Sequence, residues 1–259
     1  MSIRWARQVE NLRDITVAAK AGFQSVQLPV DGMVELSTAD FERFRQELGA
    51  LGLSVEVCSN LLPREVVVTE SGFNVYVWAQ YLRRAFARVR DLGVARIAWN
   101  NGRARVLPSE EHEVAIREQV MQFLYITCEI AEPMGITVLV EPLSPRRTNY
   151  LNTMEEVDTL IGSVGSDNLS AMVSLRDLAN IDLPLQDFHR WKHRIAHVQM
   201  ENPLADEATR TAPAPDDGYD YGPFLKALAE IRYEGIVTLP DESRPETLQY
   251  CMDLELRSS

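Results

Sequence analysis

Apolar residues along the 259-residue chain gather into eight short runs, separated by longer stretches with helical spacing. The runs are 2–8 (SIRWARQ), 25–30 (SVQLPV), 54–60 (SVEVCSN), 95–101 (ARIAWNN), 137–143 (TVLVEPL), 169–175 (LSAMVSL), 195–201 (IAHVQME) and 235–241 (GIVTLPD). Each has the length and apolar content of a buried strand. Gly22, Gly52, Gly93, Gly135 and Gly235 stand where a preceding helix would have to stop. Between the runs, Val75, Trp78, Leu82, Phe86 and Val89 recur at three- and four-residue spacing, which predicts a helix over 73–92. Ser109 is placed to cap a helix reaching Ile130, before Pro133. Thr153 and Glu156 have capping-box spacing for a helix over 154–162, and Asp220 precedes one over 222–232.

Eight strand–helix units in this length predict one α/β domain over 1–259, a single (β/α)8 TIM barrel. A doubly wound sheet is the rival, but no Gly-rich phosphate loop follows the first strand. Residues 202–218 (NPLADEATRTAPAPDDG) form a long loop after the seventh strand, where a barrel would place a lid over its catalytic face.

Charge narrows the partners. The net charge of -12 argues against nucleic acid, whose binders present a basic face. No run approaches the length of a membrane span, and the N-terminal segment lacks the apolar core of an export signal. Cys58, Cys128 and Cys251 are too scattered for a disulfide framework or a thiolate zinc site. These features predict a cytoplasmic protein with a small-molecule substrate, and they leave a homo-oligomer open.

In a barrel, the C-terminal strand ends converge on one site. Glu141 closes the fifth strand, directly after the apolar ITVLV, although a lone buried carboxylate is costly. It is therefore either solvated or paired with Arg146 or Arg147, or it works inside a site as the catalytic base. Strand alternation groups Thr137 and Leu139 with Glu141, His197 and Gln199 with Glu201, and Ser174 with Arg176. Trp99, Asn100 and Asn101, ending the fourth strand, suit a small hydroxylated ligand, and Trp99 equally suits a residue closing the barrel top. Arg147, Ser174, Arg176, Asp177, Gln199, Glu201 and Asp241 complete the candidate substrate-binding set. Arg176 and Asp177 also read as a local ion pair, and Asp241 as pointing to the other face. His197 reads as a core histidine, and His112, His189 and His193 as surface residues.

The blocks AAKAGFQSVQL, VEPLSPRRTNYLNTMEEV, IAHVQ and DDGYDYGPFLKALAEIRYEGIVTL span nearly the whole chain. Together they resemble the sugar isomerases and epimerases with a xylose-isomerase-like barrel, nearest in look to hydroxypyruvate isomerase, with ketose 3-epimerases a step further. The resemblance implies a divalent metal held at four strand ends by Glu, Asp, Gln or His, and Glu, with the two glutamates moving protons on opposite faces of an enediolate. In this chain the four positions are Glu141, Ser174, Gln199 and Pro240, and the family's histidine three residues after the aspartate falls on Asp177. Two strong oxygen ligands are missing, so no tightly bound metal is expected. Repair nucleases of the same superfamily use histidine-rich zinc sites, which four scattered histidines do not supply.

Three readings follow. The first is a metal-independent isomerase, dehydratase, lyase or cyclase with Glu141 as base. The second is an inactive relative that binds a metabolite or partner protein. The third is a metal-dependent isomerase with a cage of Glu141, Asp177, Gln199 and Asp241.

Overall fold

The computed structural model describes residues 3–108, 113–181, 183–205 and 210–258. Ser109 and His112 lie outside these, as do residues 206–209 of the long loop. Eight parallel strands close on themselves in the order β1 to β8, which removes the doubly wound alternative. The strands are β1 (Arg4–Gln8), β2 (Ser25–Pro29), β3 (Ser54–Ser59), β4 (Arg96–Trp99), β5 (Thr137–Val140), β6 (Leu169–Ser174), β7 (Ile195–Gln199) and β8 (Ile236–Leu239). Registers such as Trp99 against Val140 and Ser174 against Gln199 bring the C-terminal strand ends level.

The helical layer comprises α1 (Ile15–Lys20), α2 (Val30–Glu35), α3 (Thr38–Ala50), α4 (Val75–Asp91), α5 (Glu113–Ala131), α6 (Met154–Val164), α7 (Leu175–Asn180), α8 (Phe188–Trp191), α9 (Gly222–Glu230) and α10 (Pro245–Ser258). Most apolar side chains pack between strands and helices in one continuous outer core, which includes the predicted stripe Val75, Leu82, Phe86 and Val89. The capping box forms as the spacing requires: Glu156 N donates to Thr153 Oγ1 at 3.1 Å, and Thr153 N to Glu156 Oε2 at 3.2 Å. At the other end of the chain, Ile3 N and Trp5 Nε1 both donate to Glu255, tying α10 to β1.

Gly22, Gly52, Gly93 and Gly135 take the left-handed conformation expected at helix ends. Gly235 does not. The left-handed residue after α9 is Arg232 (φ 55°), whereas a Cβ on Gly235 would meet the Tyr233 ring at 2.4 Å. Its requirement is space, not a turn.

The barrel interior divides in two. Val57, Ala98, Leu139 and Met172 form a small apolar cluster separate from the outer core. On the β2, β7 and β8 side the buried residues Gln27, His197, Gln199 and Thr238 hydrogen-bond to one another. His197 Nε2 lies 3.2 Å from Gln27 Oε1 and 3.3 Å from Thr238 Oγ1. Burial pushes its pKa down to about 3, so it is the neutral core histidine that its position suggests.

Candidate active site

Alternation along β5 turns Leu139 inward, and Glu141 follows on the same side one step beyond the strand. Glu141 is fully buried, and neither carboxylate oxygen has a hydrogen-bond partner among the described residues. It is thus neither solvated nor hydrogen-bonded to Arg146 or Arg147. Burial, reinforced by the charge of Asp177, raises its pKa from 4.5 to about 7; Arg147, Arg210 and Arg105 oppose the rise.

The loop after β5 is held rigidly around this carboxylate. Asn152 Nδ2 donates to the carbonyls of Leu143 (2.7 Å) and Thr148 (2.9 Å). Asn149 exchanges hydrogen bonds with the backbone of Leu107 in the loop after β4. The two loops touch so closely that a Cβ on Gly102 would lie 2.6 Å from the Arg147 carbonyl oxygen. Arg105, buried beside the Trp99 ring, donates to the Glu141 carbonyl oxygen, and burial lowers its pKa to about 10.

The charged residues pair across strands. Asp177 accepts from Ser144 N at 2.9 Å and from Arg147 at 2.6 Å, and Arg147 also donates to the Asn100 carbonyl at 3.3 Å. Arg176 lies 3.4 Å from Glu201, whose other oxygen lies 3.6 Å from Arg210. Arg176 and Asp177 therefore do not form the local pair, because consecutive residues of a helix face different directions. Gln199 donates to Gln27 at 3.0 Å and leaves its own Oε1 buried without a partner. Buried polar atoms without partners are rare, and several meet at this end of the barrel.

Two expected contacts are not made. Trp99 alternates with the inward Ala98, turns outward and packs against Phe123 of α5, ring centroids 5.3 Å apart. The indole fits the helix layer, and it lines none of the mouth. Asp241 acts on Arg7, a buried residue of β1 whose Nε donates to the Ser243 carbonyl, and it does not line the mouth cavity. Asn100 faces the mouth with Gln8, Ser59, Arg147 and Arg210, lining a cavity of about 370 Å³.

The donor set does not fit a divalent ion. Ser174 accepts from Asp177 N at 3.5 Å as the cap of α7, Pro240 has no side-chain donor, and Asp177 is spent on Ser144 and Arg147. Among the described residues, no three His, Cys, Asp or Glu side chains cluster in a way that would hold a metal. The rearranged cage is therefore not assembled.

Residue-type reasoning passed over Arg105, Arg210, Gln8 and Gln27. Arg210 carried a usable signal, being the only Lys or Arg between Arg194 and Lys226. It donates to Gln8 at 2.7 Å. Its loop is anchored by Asn202 N to the Thr211 carbonyl at 2.8 Å and by Ala212 N to Glu242 at 2.7 Å.

Residues 15–254 match the xylose isomerase-like TIM barrel family, and the chain belongs to it. Among solved structures it is similar to a D-psicose 3-epimerase determined in the presence of D-fructose (TM-score 0.81, 15% identity, covering 98% of this chain and 99% of the other). An L-ribulose 3-epimerase gives TM-score 0.80 and 17% identity, with 99% and 96% covered. A family 2 AP endonuclease from Brucella melitensis gives TM-score 0.73 and 20% identity, with 97% and 99% covered. No protein of curated function matches the chain in sequence. The family match carries no finer likeness to hydroxypyruvate isomerase. No helix among the described residues is long and apolar enough to cross a membrane.

Proposed function

We propose that this chain is a metal-independent, one-base isomerase acting on a small hydroxylated carbonyl compound. The observation that carries the reading is the Glu141 carboxylate, buried at the barrel mouth without a hydrogen-bond partner and poised near neutral pH. Glu141 takes the proton from the hydroxyl-bearing carbon beside the carbonyl and returns it to the former carbonyl carbon on the same face, while the hydroxyl proton passes from one oxygen of the enediol to the other. The developing oxyanion needs donors in place before reaction. Arg147, held by Asp177 and the Asn100 carbonyl, is so placed. Proton delivery from the opposite face would need a second acid or base, and Pro240 offers none. This favours a carbonyl shift, or an elimination begun by the same proton removal, over epimerisation. The fold shared with sugar 3-epimerases supports a polyol carbonyl as the substrate class.

A second reading, an inactive relative that only binds a metabolite, is supported by the complete burial of Glu141. Deuterium exchange separates the two. In heavy water, the parent enzyme should label the α-carbon of a turned-over hydroxyketone, with or without chelator. Glu141→Gln should lower that rate by ~10²–10⁴-fold. Equal labelling by both proteins would remove Glu141 from the chemistry, and loss of activity on chelation would overturn metal independence.

A further inference from the structure

We propose that the substrate bound in this cavity carries an anionic group, a phosphate or a carboxylate, held by Arg103 and Arg210. The proposal deepens the isomerase reading and takes its cavity from it. It begins from an imbalance of charge. The chain has 26 Lys and Arg against 38 Asp and Glu, so an average lining would be acidic. The mouth cavity is lined instead by Arg64, Arg103, Arg147 and Arg210, with Glu10 as its single carboxylate among the described residues.

The charges are also layered. Glu141, Asp177 and Glu201 are buried and do not line the cavity, while the side chains of Arg147 and Arg210, which do, remain 22% and 25% exposed. A ligand entering from solvent therefore meets guanidinium groups first. Glu10 is already engaged by Arg64 at 2.7 Å and by the Gln8 amide. Arg103 is exposed and has no side-chain partner among the described residues. Among the described residues, Arg210 makes one hydrogen bond, to neutral Gln8, and one long ion pair, to Glu201. A guanidinium has five N–H donors in a planar fork, so most of this capacity is free for a phosphate or carboxylate.

An adjoining hollow shares Glu10, Asn60 and Arg64 and adds one cation, Arg13, against two carboxylates, Asp31 and Glu35, so the positive excess belongs to the Asn100 and Arg210 side. The volume of about 370 Å³ suits a small substrate of sugar size. Low-dielectric walls focus such a field toward the mouth and draw anions against the overall negative charge.

Titration calorimetry on the intact chain tests this with orthophosphate, D-fructose 6-phosphate, D-gluconate and D-fructose. The anions should bind at least tenfold more tightly than D-fructose, and less tightly as salt rises. Tighter binding of the phosphate ester identifies a phosphate site, and tighter binding of gluconate a carboxylate site. Arg103→Gln removes an unpaired surface residue, and Arg210→Gln leaves Glu201 with Arg176, so both should fold. Each should weaken the preferred anion by about tenfold, as expected for loss of a charge-assisted hydrogen bond. Glu141→Gln should bind that anion at least as well as the parent. D-Fructose binding as tightly as both charged analogues, or anion binding indifferent to both arginine substitutions, would overturn the proposal. Anion binding without any role for Glu141 in turnover would instead refute the base and leave the anion site standing.

Discussion

Replacing Glu141 by Gln should make the protein more stable at alkaline pH, and the size of the gain follows from the site. Burial and Asp177 raise the carboxyl from 4.5 to about 7. Between those values the folded state holds a proton that the unfolded chain has released, so stability falls as pH rises through this window. The rise from 4.5 to about 7 corresponds to roughly 3 kcal/mol lost above the window, at ~1.4 kcal/mol per pH unit. A minor part of this is already lost near pH 5, which leaves roughly 2–3 kcal/mol between about pH 5 and about pH 8.5. The difference between the Glu141→Gln variant and the parent also contains a constant cost, because the amide introduces N–H donors into a place with no acceptor. That cost, about 1–3 kcal/mol, is the same at both pH values and cancels when the two are compared. The measurement is urea unfolding of parent and variant at the two pH values. The stability difference should shift toward the variant by roughly 2–3 kcal/mol on going to the higher pH. A shift below about 0.5 kcal/mol would show that the carboxyl titrates normally in the folded protein, and the case for a base poised near neutrality would fall with it.

Two other substitutions probe the scaffold around the base. Gly102→Ala places a methyl group 2.6 Å from the Arg147 carbonyl oxygen, between two loops pinned to each other; it should cost about 1–3 kcal/mol in a urea melt, and an unchanged midpoint would mean that the loops yield freely. Asp177→Asn removes a charge that raises the Glu141 pKa, so the rising limb of kcat/KM against pH should move below about 7, and it frees Arg147 at a stability cost of roughly 3 kcal/mol; a limb that stays in place or rises would contradict the charge assignment.

Much of the architecture is legible in linear order. Strand runs, helix stripes and the Thr153–Glu156 cap depend on residues within a few positions of one another, so local spacing reveals them. Glu141 is legible for the same reason, as a carboxylate abruptly ending an apolar strand. The family match extends this reading over residues 15–254.

What linear order does not reveal is which partner each charge meets. Asp177 finds Arg147 from the loop after β5, and Arg176 finds Glu201 beyond β7, because barrel closure brings level strand ends within reach of one another. The outward turn of Trp99 depends on strand phase, where one residue of displacement exchanges the barrel mouth for the helix layer. Arg210 and Gln8, 202 positions apart, meet at 2.7 Å only once the ring is closed. The sequence alone determines the strands, the helices and the position of the orphan carboxylate, since these answer to neighbours along the chain. Its raised pKa and its cationic surroundings belong to the tertiary structure, because burial and charge proximity are properties of the closed barrel and of no single segment.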